Sequence, residues 1–153
     1  MYGLHHPFER PSHYQGLFPV TNRYTYGVAG EKFFRALKDE GVILGTRCPE
    51  CQRIYVPGTL FCQACFKELN DWVIVENVGV VETYTLLYQD VDGSKRVEPE
   101  IIAFIRMHDG GFIHKIGEID INSVHIGMQV AAVFKAPEER TGSILDIKYF
   151  KPT

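Results

Sequence analysis

All 4 cysteines of this 153-residue chain lie between positions 48 and 65. They form two Cys-x-x-Cys pairs, Cys48-Pro49-Glu50-Cys51 and Cys62-Gln63-Ala64-Cys65, with ten residues, Gln52 to Phe61, between them. A tight turn through each pair aims two sulfurs at one point, and two such pairs complete a tetrahedron around one ion. A disulfide framework would instead spread its cysteines to tie distant segments together. Zinc suits four thiolates at about 2.3 Å because it imposes no ligand-field geometry. Iron in the same four-thiolate site is the competing metal. A redox-active pair is disfavoured, since such a motif normally stands alone near a βαβ unit. Four protein ligands leave no open position for water. The expected cofactor is therefore one structural zinc per chain, held by Cys48, Cys51, Cys62 and Cys65.

Around this quartet the chain divides into four segments. Residues 1–25 are rich in Pro, His and aromatics, and Pro7, Pro11 and Pro19 exclude a regular helix in favour of an extended arm. Residues 26–41 carry Phe33, Ala36 and Leu37 at helical spacing with charged residues on other faces, and Gly41 stands where a helix C-cap belongs. Residues 42–72 hold the cysteine module, opened by Val42-Ile43-Leu44. Residues 73–153 read as five strands, 73–89, 101–108, 111–118, 128–135 and 144–150, with Gly79 as a bend or bulge site in the first. Asp109-Gly110-Gly111 is the expected hairpin turn, and 136–143 a flexible loop. Five strands with a longer connection after the third suit a small Greek-key barrel of the OB type, with a small sandwich as the alternative. The fold class is thus mainly β: arm and helix, four-Cys zinc ribbon, then a C-terminal five-stranded barrel.

Composition narrows the function classes. Hydrophobic residues make up 45% of the chain, which argues against global disorder. The longest apolar runs, such as Val130-Ala131-Ala132-Val133-Phe134, are far too short to span a bilayer. The N-terminus lacks a cationic stretch followed by an apolar one, so a soluble cytoplasmic protein is expected. Lys and Arg number 16 against 19 Asp and Glu, for a net charge of −3. Residues 1–72 hold 8 basic and 7 acidic residues, while 73–153 hold 8 and 12. A barrel tracking a nucleic-acid backbone needs a positive groove, so no nucleic-acid partner is expected despite the aromatics Tyr84, Tyr88, Phe104 and Phe112.

No Gly-rich phosphate loop, Gly-x-Ser-x-Gly elbow or His-Glu-x-x-His is present. The six histidines show neither His-x-x-x-His spacing nor an acidic partner set, and the metal consumes the thiols. The chain offers no self-contained catalytic set. Lys95 and Arg96, in the loop between the first two strands, are the residues placed to meet a ligand phosphate, although four carboxylates neighbour them. In Ile101-Ile102-Ala103-Phe104-Ile105 both faces begin apolar, which predicts cover on both sides. Aromatic anchors on a Pro-stiffened arm, Phe8, Tyr14 and Phe18, join Phe33 and Phe34 of the helix as candidate partner contacts.

The order of elements resembles the rubredoxin-like zinc-ribbon plus OB-fold proteins associated with thiolases. The resemblance covers residues 26–152 and rests on Glu31-Lys32-Phe33-Phe34-Arg35-Ala36-Leu37, Arg47-Cys48-Pro49-Glu50-Cys51, Val56-Pro57, Phe61-Cys62-Gln63-Ala64-Cys65, Trp72, Gly79-Val80-Val81-Glu82-Thr83-Tyr84-Thr85, Pro99-Glu100-Ile101-Ile102-Ala103 and Gly127-Met128-Gln129-Val130. Gln52 and Phe66 stand just after the knuckles, where such ribbons often carry glycine, and Gly58-Thr59 follows Val56-Pro57 where an Arg is usual. The resemblance implies a non-catalytic scaffold subunit in a hetero-oligomer with a thiolase-like enzyme, an acyl-CoA synthase or an aldolase, helping to form its acyl-CoA site. A stand-alone module binding acyl-CoA or single-stranded nucleic acid is the alternative.

Overall fold

The computed structural model describes residues 24–153. Most of the expected arm, including Phe8, Tyr14 and Phe18, lies outside the described residues. Helix α1, Gly27–Arg35, buries Phe33 and continues as a wider turn over Ala36–Glu40 that buries Leu37. Gly41 ends it with φ +69°, and its N–H bonds the Ala36 carbonyl at 3.0 Å, as does that of Val42 at 3.3 Å. A residue with a Cβ would pay for that left-handed backbone, so the glycine is required there.

Three short strands build the ribbon sheet in the order β2-β1-β3: β1 Ile43–Arg47, β2 Ile54–Tyr55 and β3 Asp71–Val75. β3 pairs with β1 from Val75↔Ile43 to Asp71↔Arg47. The expected single strand over 73–89 is therefore two strands. Its first residues complete the ribbon, and the chain breaks at Glu76-Asn77 before the barrel begins. Thr46, fully buried, clamps the following loop: its Oγ1 donates to the Thr59 carbonyl at 3.0 Å and accepts from the Thr59 N–H at 2.9 Å.

The barrel is closed by β4 Val78–Gln89, β5 Lys95–Met107, β6 Gly110–Ile116, β7 Gln129–Phe134 and β8 Ile147–Pro152, ordered β4-β5-β6-β8-β7. β7 returns to pair with β4, and only β6 and β8 run parallel. This is the OB arrangement, and it removes the sandwich alternative. Closure leaves no long open edge in the barrel itself. Inward residues alternate along β5 as Ile101, Ala103, Ile105 and Met107, and meet Val81, Phe112, Ile116, Val130, Ala132, Ile147 and Phe150. Their outward neighbours Ile102 and Phe104 are half-buried, so the outer face of the strand carries partial cover.

Other boundaries shift for local reasons. The β5–β6 turn is His108-Asp109, with His108 at φ +51°, because Gly110 already pairs with Met107. β5 begins at Lys95, so the expected loop shrinks to Asp90–Ser94. Gly79 is no bulge; a Cβ there would sit 2.6 Å from Ile105 Cγ2, so glycine permits close packing, and the register shifts fall between Val81 and Thr83 and between Leu87 and Gln89. The segment 136–143 is braced rather than loose. Asp146, fully buried, accepts hydrogen bonds from the N–H groups of Thr141, Gly142 and Ser143 at 2.9, 2.7 and 3.2 Å. Residues Ile144–Asp146 accordingly form a 3-10 turn capped by Ser143, and the last strand starts at Ile147.

Ribbon and barrel are joined by main-chain hydrogen bonds. The Asp109 N–H donates to the Ile54 carbonyl at 3.0 Å, the Gly111 N–H to the Val56 carbonyl at 2.8 Å, and the Ile54 N–H to Asp109 Oδ2 at 3.0 Å. Gly110 makes the approach possible, since a Cβ there would lie 2.1 Å from the Val56 oxygen. No helix among the described residues is long and apolar enough to cross a membrane.

Candidate metal centre

The two knuckles repeat one backbone design. In the first, the Cys48 N–H bonds the Arg53 carbonyl at 2.9 Å and the Gln52 N–H bonds the Cys48 carbonyl at 3.1 Å. In the second, Cys62 to Lys67 is 2.8 Å and Phe66 to Cys62 is 3.0 Å. Each turn closes only if the residue after its second cysteine turns left-handed, and Gln52 and Phe66 have φ of +59° and +56°. These are the two positions where glycine would be unstrained; a side chain there costs roughly 1–2 kcal/mol. Lys67 and Glu50 form an exposed ion pair at 3.1 Å between the knuckles, which adds little by itself.

The fold brings Cys48, Cys51, Cys62 and Cys65 together, with all four sulfurs within 4.8 Å of one another. Cys48–Cys65, Cys62–Cys65, Cys51–Cys62 and Cys51–Cys65 are 3.3, 3.2, 3.6 and 3.8 Å apart. A tetrahedron with metal–sulfur bonds of about 2.3 Å has edges of about 3.8 Å, so sulfurs this close need only small shifts to hold one ion. No disulfide links them. Cys48 and Cys62 are buried, Cys65 is partly covered and Cys51 is exposed.

Electrostatics single out Cys62. Burial opposes its charge, but hydrogen bonds from the Tyr55 hydroxyl and the Cys65 backbone more than offset this and bring its pKa down to about 5. Cys65 donates to Cys62 and Cys48 and is pushed up to about 12. Cys48, like Cys62, is held below the ordinary thiol range, by hydrogen bonds from the Cys51 backbone and the Cys65 thiol that outweigh burial. Tyr55 escapes a search for ligand spacing, because its role depends on the strand that points it at the sulfur.

The remaining candidate residues are dispersed. Phe33 is 2% exposed and stacks at 5.7 Å on Phe112. It belongs to the core and cannot be a partner contact, because the apolar stripe of α1 that the sequence reveals is the stripe that faces inward. Phe34 packs partly exposed, edge-on to Tyr26 at 5.1 Å. The guanidinium of Arg96 is held between Asp90 and Glu100, with Nη1 donating to Glu100 at 3.1 Å. Any phosphate contact at this hairpin would rest on exposed Lys95. Exposed large apolar side chains stand on the ribbon, at Phe61, Phe66 and Ile74, at the β4–β5 tip, at Val91 and Val97, and elsewhere at Val28, Ile113, Ile126 and Leu145.

Residues 35–70 match the family described as the ChsH2 rubredoxin-like zinc ribbon domain, and residues 72–135 the ChsH2 C-terminal OB-fold domain. A crystal structure of a protein of unknown function from the DUF35 family of Sulfolobus solfataricus is 32% identical, covers 70% of this chain and 78% of its own, and superposes with a TM-score of 0.61. The chain belongs to the DUF35 family. A DUF35 domain-containing scaffold protein of Methanocaldococcus jannaschii is 28% identical over 123 residues, 78% of this DUF35 chain and 87% of that protein. A chain of the Ltp2-ChsH2(DUF35) aldolase shares the fold, with a TM-score of 0.61 at 18% identity over 85% of this chain and 98% of that one. The zinc ribbon and OB-fold expected from the sequence are those of the family.

Proposed function

We propose that this DUF35 chain is a non-catalytic scaffold subunit of a thiolase-like acyl-CoA enzyme, stabilising its partner and helping to form the acyl-CoA site. The observation that carries this reading is a ribbon hydrogen-bonded to the barrel and bearing exposed apolar side chains. Main-chain hydrogen bonds lock ribbon to barrel, and Phe61, Phe66 and Ile74 stand at 59%, 82% and 64% exposure on the ribbon. A rigid surface with aromatic anchors binds with little loss of entropy. The name of the archaeal relative, a scaffold protein, and the aldolase assembly containing a like-folded chain support the same direction. Phe8, Tyr14 and Phe18 of the arm, with Phe34, extend the proposed contact. Lys95 is proposed to border the acyl-CoA phosphates.

The metal in this reading is zinc, one per chain, held by Cys48, Cys51, Cys62 and Cys65. It supplies structure only, as all four positions are protein sulfurs. Keeping four thiols reduced calls for a reducing compartment, and the cytoplasm is the location proposed for the complex.

Co-expression with a candidate thiolase-like enzyme, followed by size-exclusion chromatography with light scattering, tests the proposal. One hetero-oligomer with acyl-CoA turnover above that of the enzyme alone is expected, and deletion of residues 1–25 should weaken it while leaving zinc content intact. Separate elution with unchanged turnover would refute the scaffold role. Sub-micromolar binding of acyl-CoA or single-stranded nucleic acid by the lone chain would then favour the stand-alone module.

A further inference from the structure

Tyr55 occupies a position that the metal-binding motif does not explain. It lies on β2, 4% exposed, and its neighbours on either side are committed to the barrel through the Ile54 and Val56 carbonyls. Alternation along the strand turns its side chain the other way, into the small cluster of Cys48, Cys62 and Leu69. There its hydroxyl oxygen lies 3.2 Å from Cys62 Sγ and accepts the Gln63 N–H at 3.1 Å. A metal-bound cysteine is a thiolate and has no proton to give. With the Gln63 N–H directed at its oxygen, the hydroxyl therefore donates its own proton to the sulfur. The Cys65 N–H reaches the same sulfur at 3.4 Å. Among the described residues, Cys62 is the one cysteine whose sulfur receives a hydroxyl.

We propose that Tyr55 is a positioning residue for the metal: its hydroxyl withdraws charge from the Cys62 sulfur and holds that ligand on the ion. This rests on the metal reading above and adds a distinct chemical role within it. A hydrogen bond to a coordinated thiolate lowers the energy of the sulfur lone pairs, which shifts sulfur-to-metal charge transfer to shorter wavelength. It also opposes protonation of the sulfur, the step that starts ligand loss. Groups in this outer position typically change metal affinity by roughly 10–100-fold. Because β2 is fixed by the barrel, the donor is held in place by the second module.

The test uses the full chain loaded with cobalt, and in parallel with zinc. Tyr55→Phe keeps the ring in its buried cluster and removes only the hydroxyl. It should retain one metal per chain, move the cobalt charge-transfer band to longer wavelength, and speed zinc transfer to a chromophoric chelator at least about tenfold. Site-specific 3-fluorotyrosine at position 55 is a stronger donor of the same shape and should move the band the opposite way. A purely packing role for the ring predicts no band shift in either protein. An unchanged band in both overturns the proposal. Should Tyr55→Phe fail to fold, the fluorinated protein decides alone: a shift to shorter wavelength supports the proposal, and an unmoved band overturns it. Failure of the unmodified chain to take up cobalt or zinc would overturn the metal reading itself.

Discussion

Around Phe150 the barrel closes on Val81, Ile105, Val130 and Ile147, none of which exposes measurable surface. Around Cys62 the buried set is Cys48, Tyr55 and Leu69, with Cys65 partly covered. The first region removes enough apolar surface to offset the entropy of ordering its strands. The second does not, and two left-handed residues, Gln52 and Phe66, add strain. The ribbon sheet is intermediate, since Ile43, Val56 and Val75 extend into the main core. What separates the regions is therefore the knuckle end, where an ion must substitute for a core, as in small metallo-domains whose binding free energy is folding free energy.

Breaking each region alone sharpens the contrast. Cys62→Ser should abolish stoichiometric metal and all exchange protection in the two knuckles while barrel amides stay protected; elemental analysis and hydrogen exchange check both parts. Phe150→Ala should do the reverse, lowering barrel stability by about 3–5 kcal/mol in denaturant titration with metal content unchanged.

A smaller effect is expected at the brace before β8. Asp146→Ala leaves three backbone N–H groups without their acceptor, at a cost of about 2 kcal/mol in the same titration. Its pH signature follows from the native state. Burial raises the Asp146 pKa, but the three backbone hydrogen bonds outweigh burial and hold the carboxyl below its ordinary value. The stabilisation is present above the unfolded value of about 4 and is lost as pH falls through the lower native value. His114 adds an earlier step. Burial lowers its pKa, and its Nδ1 accepts the Lys115 N–H at 3.0 Å, leaving no room for a second ring proton. The unfolded chain takes up that proton first, so stability declines as pH drops below about 6.5. Acid titrations of Asp146→Asn and His114→Gln should each lack one of these two steps.

The smallest effect lies in the knuckles. Phe66→Gly relieves a left-handed side chain and should stabilise the metal-loaded ribbon by about 1 kcal/mol, with no change in barrel unfolding. A loss of stability there would mean that the exposed ring packs against something that φ +56° does not reveal.

Sequence legibility divides along similar lines. The four sulfurs were visible because spacing on a tight turn is a local property, and Gly41 was visible as a helix cap for the same reason. The split of 73–89 was hidden because Trp72-Val73-Ile74-Val75 has strand character whichever sheet it joins, and only pairing with β1 decides. The same holds for Phe33: helical periodicity identifies an apolar stripe, whereas the presence of Phe112 beneath it is a long-range matter. Asp146 and Tyr55 escaped because each works through partners whose positions depend on the folded chain. Asp146 gathers three N–H groups from a loop that reads as flexible, and Tyr55 is aimed by a two-residue strand.

The knuckles depend on an ion and the barrel on its apolar core. Hydrogen exchange on the full chain, with and without a strong chelator, tests this division most directly. Chelation should expose the amides of Cys48, Gln52, Cys62 and Phe66 to rapid exchange, while those of Ile105, Val130 and Phe150 stay protected. Equal loss in both regions, or none in either, would contradict the account.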